Sequence, residues 1–373
     1  MLPLAIDADF PGGNIIVEQT TETTARVRQD LRDTEGDWFN WAFRLRDAQG
    51  RDISITFTGS NPIAGRGPAV SDDAGTTWRW LGAAAVRGQT FTYHVPDSPD
   101  VRFAMHIPYL QADWQRFAER MRGRPGWIEE TLCRSEGGRD VEQARIGRLD
   151  GQARHRLLLT ARHHCCEAMA SSVLEGVVEG LLDDAWCGDN VEALIVPFVD
   201  KDGVEQGDQG KNRRPRDHNR DYDERARYAT VRALMAKVPA WADGRLRLAL
   251  DFHCPWIRGE WNEHPYFVGS PDQANWQRVM ALAEQLEATA HGPLPYSAAR
   301  NLPFGTAWNT NANTTAGRSF ARWAGTLSQT ITATTLEFPY AVIDGQEVTP
   351  DSARQFGRGL AMAMVQWLRV SND

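Results

Sequence analysis

Residues 160–170, TARHHCCEAMA, place His164 and Glu167 three positions apart where an apolar run, Leu157-Leu158-Leu159, gives way to an amphipathic stretch. An imidazole nitrogen and a carboxylate oxygen at that spacing can chelate one zinc ion. His-x-x-Glu also arises by chance, and His164 can be read as a satisfied core histidine and Glu167 as a carboxylate favoured at a helix N-terminus. A catalytic zinc takes three protein ligands and keeps a fourth position open. His253 is the third candidate: residues 246–256, LRLALDFHCPW, alternate as a strand ending at Asp251-Phe252-His253. Open α/β sheets gather their ligands at the carboxyl ends of strands. Metal-assisted hydrolysis further needs a carboxylate to take a proton from the attacking water. Glu337 closes a β-branched run in residues 331–340, ITATTLEFPY. A carboxylate there is costly to bury unless something pairs or uses it.

Between these motifs lies the segment least ordinary in composition. Residues 196–222 read VPFVDKDGVEQGDQGKNRRPRDHNRDY and are nearly devoid of apolar side chains after Val204. Arg213, Arg214, Arg216 and Arg220 share it with Asp217 and Asn219. Guanidinium groups offer a planar fork suited to carboxylate, so the segment is a candidate grip for an anionic group. The alternative is a solvated basic surface.

Taken in order, His-x-x-Glu, Asp-x-Asn-Arg, a strand-end His and Thr-Leu-Glu resemble the motifs of the carboxypeptidase A-type zinc metallocarboxypeptidases. The nearest flavour is the cytosolic carboxypeptidase-like branch. Ala161-Arg162-His163-His164-Cys165-Cys166-Glu167 is similar to that branch's Ala-Arg-x-His-Pro-Gly-Glu, with two cysteines replacing Pro-Gly. Val196-Pro197, Asp202-Gly203, Asp217-His218-Asn219-Arg220, Asp251-Phe252-His253 and Thr335-Leu336-Glu337 match its further motifs. The resemblance spans roughly residues 108–373.

The resemblance implies that His164, Glu167 and His253 hold one zinc ion per chain, with Glu337 as general base and acid. It makes Asp217 the carboxylate that orients the His164 ring, a role suited to metal-bound imidazole. Asn219 and Arg220 would hold the terminal carboxylate of a peptide or protein substrate. Arg213 or Arg214 would polarise the scissile carbonyl. The interval from that arginine to Asn219 is shorter than in the family, which leaves both open. The family's mobile tyrosine has no counterpart, because residues 297–336 contain no Tyr. The family's pocket floor corresponds to residues 316–324, AGRSFARWA, with Arg318 and Arg322. A cation there favours a C-terminal Glu or Asp, with Arg322 preferred over Arg318. The alternative puts both on an exposed helical face.

The elements that must position these residues can be read from periodicity. From residue 111 onward, helical stretches at 114–122, 167–182, 223–238, 272–289 and 352–370 alternate with apolar strands. That alternation predicts an α/β fold with helices on both faces of a sheet. The resemblance adds that the sheet is mixed, largely parallel and eight-stranded. The N-terminal third reads as short strands at 14–27, 38–46, 52–58, 78–81 and 90–95, separated by Gly, Asp, Asn and Pro turns. This spacing predicts a β-sandwich. Phe10-Pro11-Gly12-Gly13-Asn14, Trp38-Phe39-Asn40-Trp41-Ala42-Phe43 and Phe103-Ala104-Met105-His106-Ile107-Pro108-Tyr109 resemble the N-domain of cytosolic carboxypeptidases, which implies an N-terminal domain at 1–108 and a catalytic domain at 109–373. Trp38, Trp41, Trp78 and Trp80 read as core rather than as a carbohydrate platform. Residues 59–75 and 292–317 read as loops.

Composition narrows the function classes. A hydrophobic fraction of 42% over 373 residues is enough for two cores. A net charge of −8 without a basic face argues against nucleic acid and anionic membranes as partners. The first ten residues lack the basic and apolar regions of a secretory signal, and no run is long enough to span a bilayer. Five cysteines, two of them adjacent, argue against a disulfide framework and for a reducing cytoplasm. Three classes remain: a zinc exopeptidase cleaving C-terminal peptide or isopeptide-like bonds, a zinc amidohydrolase of the aspartoacylase and succinylglutamate desuccinylase type, and a non-catalytic zinc-binding module. Glu337 argues against the third, and the N-terminal sandwich and Val-Pro…Asp-Gly turn favour the first.

Overall fold

Four consecutive parallel strands form the centre of the main sheet: Val191–Val196, His155–Ala161, Leu246–His253 and Thr332–Glu337. They are buried almost throughout, as expected of parallel strands covered on both faces. The antiparallel hairpin Trp127–Arg134 and Asp140–Gly147 extends one edge, and Tyr266–Phe267 pairs antiparallel with Thr332–Glu337 at the other. Among the described residues the sheet thus has seven strands, not the eight that the family resemblance implies. The structure is a computed structural model that describes residues 2–289, 292–314, 317–328 and 331–370. Ala316, the first residue of the expected pocket floor, lies outside them, as do Met1 and residues 371–373 at the ends of the expected domains.

Alternating strand residues feed two cores. Leu157, Leu159, Leu248, Leu250 and Phe252 pack with the helices Ala168–Asp183, Gln273–Thr289 and Pro350–Val370. Leu158, Leu246 and Ala249 pack with Ala229–Ala242 and Phe320–Ala324 on the opposite face. Helices cover the central strands on both faces, and two of those strands end at His253 and Glu337.

The N-terminal region forms two five-stranded sheets. Phe57 and Phe91 from one meet Trp41, Phe43 and Phe103 around the other, with Phe91 and Phe103 ring centroids 5.1 Å apart. The expected strand at 14–27 is in fact a hairpin, Ile16–Thr20 and Thr24–Arg28. Strands Ala5–Asp7, Ala69–Ser71, Val86–Arg87 and Asp100–Ala104 escape the alternation pattern. Three of these four span only two or three residues, too few to show a period, and one of them lies in the expected 59–75 loop. Trp41 and Trp80 are core, and Trp78 packs against it. Trp38 is likewise partly buried against this core and also meets Trp256, 5.3 Å between ring centroids, shortly after the strand end at His253.

Candidate metal centre and cleft

Two strand ends and one loop bring His164, Glu167 and His253 together. His253 is the last residue of Leu246–His253. His164 lies in the loop after His155–Ala161, and Glu167 occupies the N-cap position of the helix Ala168–Asp183. The Glu167 carboxylate caps nothing; it turns toward the two imidazoles instead. Glu167 Oε1 lies 2.9 Å from His164 Nδ1, Oε2 lies 2.7 Å from His253 Nδ1, and the two Nδ1 atoms are 3.2 Å apart. The contact at 2.7 Å lacks the alignment of a hydrogen bond, leaving Oε2 buried and unsatisfied. Three donor atoms within 4.8 Å of one another, with an orphaned carboxylate oxygen among them, fit a small divalent cation that prefers nitrogen and oxygen ligands, as zinc does.

The outer nitrogens of both rings meet carboxylates. His164 Nε2 is 3.1 Å from Asp217 Oδ2, and His253 Nε2 is 2.5 Å from Asp251 Oδ2. Such partners fix which ring nitrogen is free for a metal. The Asp217 position agrees with what the resemblance implies. Asp251 was given no role from sequence, although period two places it on the same strand face as His253. Its other oxygen accepts from Thr160 Oγ1 at 2.8 Å and lies 2.8 Å from His163 Nδ1, and His163 Nε2 is 2.8 Å from the Tyr222 hydroxyl. His163, Asp251 and His253 form a second metal-capable group. It shares His253 with the first, and its inner contacts are already spent on the hydrogen bonds just described.

Glu337 is the Cα register partner of His253 on the adjacent parallel strand. It is 8% exposed, its Oε2 makes no hydrogen bond, and it lines a cleft of about 730 Å³. Burial raises its carboxyl pKa above the ordinary carboxylate range. Burial acts on Glu167 too, yet Lys211, His253 and His164 together hold that carboxyl well below the range. Two neighbouring carboxylates are thereby set apart, one kept ionised and one better able to exchange a proton.

The cleft also has Asn219, Arg220 and Arg322 on its wall. Asn219 sits in a 3-10 turn whose preceding Asp217 accepts its backbone N–H at 2.7 Å. Its side-chain oxygen accepts from Phe320 N at 2.9 Å, and its amide nitrogen lies 3.3 Å from His253 Nε2. Arg220 donates to the Asn219 carbonyl at 2.7 Å. Arg322 is part-buried in the helix Phe320–Ala324. Arg318 donates instead to the Tyr222 carbonyl and does not line the cleft.

Arg213 and Arg214, the candidates to polarise a carbonyl, are not brought to the cleft wall. The Arg213 guanidinium is spent on Asp208 at 2.5 Å and Asp200 at 3.2 Å, with Asp33 at 3.8 Å. Arg214 is mostly exposed and pairs with Glu35 at 2.7 Å. The cation that does enter the centre is Lys211, with Nζ 2.7 Å from Glu167 Oε1. No spacing rule picks it out; it arrives through a glycine-flanked loop. Cys165 and Cys166 stay outside the donor set. Cys165 donates to the Asp208 carbonyl at 3.1 Å, and burial pushes the Cys166 thiol up to about 12.

No family model matches the sequence. Over 158 residues the chain is 27% identical to cytosolic carboxypeptidase 2 of Xenopus tropicalis, a stretch that is 39% of this chain and 16% of that protein. An uncharacterized protein of Zymomonas mobilis is 28% identical over 224 residues, 55% of this chain and 56% of that one. The chain thus matches little more than half the length of one curated relative and a small part of the other. A solved metallo-carboxypeptidase from Burkholderia cenocepacia superimposes with a TM-score of 0.78 at 20% identity, over 100% of both chains. The metallo-carboxypeptidase fold therefore extends over the whole chain, N-terminal sheets included.

Proposed function

We propose that this protein is a zinc-dependent carboxypeptidase that hydrolyses the last peptide bond, or an isopeptide-like equivalent, of a peptide or protein chain. The observation that carries the reading is the convergence of His164 Nδ1, His253 Nδ1 and the Glu167 carboxylate beside a cleft that Glu337, Asn219 and Arg220 line. A zinc ion held by His164, Glu167 and His253 would supply Lewis-acid activation of water and of the scissile carbonyl. Glu337 takes the proton of the attacking water and returns it to the departing amine. Its elevated pKa suits a group that must both accept and donate. Asn219 and Arg220 hold the terminal carboxylate, Arg220 through charge-assisted hydrogen bonds. Asp217 and Asp251 keep the two imidazoles in the orientation that leaves Nδ1 inward.

Arg322 sets the preference for the departing residue, favouring C-terminal Glu or Asp. Its position on the cleft wall, where Arg318 is absent, supports that choice. Residues 1–108 and 109–373 act as two domains. All five cysteines are unpaired, which suits a cytoplasmic setting, and no helix among the described residues is long and apolar enough to cross a membrane.

The same donor set would serve a zinc amidohydrolase that removes an acyl group from an amino acid. Products separate the two. Incubated with matched peptides and N-acyl amino acids, the protein should release free C-terminal amino acids from the former; release of acyl acids alone would replace this reading with the amidohydrolase.

A further inference from the structure

We propose that Lys211 is a positioning residue that anchors the Glu167 carboxylate in the metal centre, and that the N-terminal sandwich holds Lys211 in place. The first hundred residues are then a working part of the metal site. This inference rests on the reading of His164, Glu167 and His253 as metal ligands.

Lys211 is buried, 9% exposed, and its ammonium group has two oxygen partners, through an ion pair and a hydrogen bond. One is Glu167 Oε1 at 2.7 Å and the other is the carbonyl of Cys254 at 3.0 Å, the residue after His253. The ammonium therefore ties the loop ligand to the strand-end ligand. With Oε1 held by Lys211 and His164, Oε2 is left as the unsatisfied oxygen of the pair. A buried carboxylate without such a partner is strongly disfavoured and free to reorient. The lysine also lies over two aromatic rings of the N-terminal region, 5.5 Å from the Trp38 centroid and 5.8 Å from Phe39.

The loop that carries Lys211 has little secondary structure of its own, and its backbone groups bond to the N-terminal region. Asn14 and Asn40 donate to the Gly207 carbonyl at 2.8 and 3.1 Å, and Asn40 also donates to the Asp208 carbonyl at 3.0 Å. The Asp33 carboxylate accepts Gln209 N at 3.0 Å and Gly210 N at 2.9 Å. Thr34 Oγ1 donates to the carbonyl of Lys211 itself, and the Asp33 carbonyl accepts Arg214 N at 2.7 Å. Two glycines let the loop pass. A Cβ on Gly207 (φ 73°) would lie 2.5 Å from the Gly12 carbonyl oxygen, and one on Gly210 (φ 74°) would lie 2.5 Å from Cys165 N in the ligand loop. The segment is thus pressed between the N-terminal sheets on one side and the His164–Glu167 loop on the other. Partners that orient metal ligands typically contribute tenfold to a hundredfold in metal affinity, and here that contribution depends on contacts between residues 176 and 177 positions apart.

The test measures Zn²⁺ affinity of the full-length apo-protein by competition with a chromophoric chelator, with melting of the metal-free proteins as the control for folding. Lys211→Met should weaken zinc binding tenfold to a hundredfold, and Lys211→Arg should recover part of the loss. Asp33→Ala should weaken zinc in the same direction. The double variant should be no weaker than Lys211→Met alone, because Asp33 acts through Lys211. Thr34→Val, which removes a single hydrogen bond, takes the place of Asp33→Ala in the cycle if the latter fails to fold. Wild-type affinity in Lys211→Met, or losses that simply add in the double variant, would overturn the proposal. A wild-type protein that binds no zinc would instead overturn the metal-site reading beneath it.

Discussion

His253 and Glu337 are register partners at the carboxyl ends of adjacent parallel strands, and Phe338 N donates to the His253 carbonyl at 2.8 Å. A proposed ligand and the proposed base are therefore spaced by the sheet ladder, not by loops. Glu337→Gln keeps the shape and should retain zinc and substrate affinity while kcat falls a hundredfold or more, since an amide cannot carry the proton. Kinetics beside a zinc assay on the same sample check this. A near-wild-type rate would move the base elsewhere.

Asp251 and Asp217 hold the outer nitrogens of two proposed ligands, yet Asp251 also carries hydrogen bonds to Thr160 and His163. Asp217→Asn and Asp251→Asn should each weaken zinc by about tenfold to a hundredfold. Asp251→Asn should also lower the melting temperature of the metal-free protein, because it disturbs a fully buried network. Chelator competition and calorimetry on both variants report the difference; unchanged affinity in both would remove their orienting role.

Arg213 neutralises a buried group of aspartates, whereas Arg214 pairs with one exposed glutamate. Arg213→Met should cost about 3–5 kcal/mol of folding stability by stranding charge in the interior. Arg214→Ala should leave stability and turnover close to wild type. Urea unfolding of both, with turnover of Arg214→Ala, checks the contrast. A stable, folded Arg213→Met protein would show that the aspartates find other partners.

Arg322 faces the cleft and Arg318 does not. On matched peptides ending in Glu, Leu and Lys, wild type should show the highest kcat/KM for Glu, and Arg322→Leu should lose that preference by roughly tenfold or more, as expected for a charge-assisted contact. Preference for Leu or Lys in the wild type, or unchanged selectivity in the variant, would end the assignment and leave the metal centre intact.

The proposed ligands and base were legible because each sits at a punctuated point: a polar residue ending a run that period or apolar content marks as a strand. The helix after His164 was legible from its periodicity, whereas the one expected at 223–238 begins only at Ala229 and runs to Ala242. Lys211 was not, because what makes it matter is a loop held by Asp33, Thr34 and Asn40 from far away in the chain. Arg213 misled for a related reason. Four arginines in one polar segment look alike in sequence, and nothing there shows that Arg213 is taken up by Asp200 and Asp208 of its own segment and by Asp33 from far away. The short N-terminal strands hid because two or three residues carry no period.

The central claim is metal-dependent removal of C-terminal residues, and mass spectrometry of a mixed peptide library tests it most directly. The protein should shorten peptides one residue at a time from the C-terminus. Dialysis against a chelator should abolish this, one equivalent of Zn²⁺ should restore it, and Glu337→Gln should stay inactive with zinc bound. A library left intact under all conditions, or trimming that persists undiminished without metal, would contradict the account.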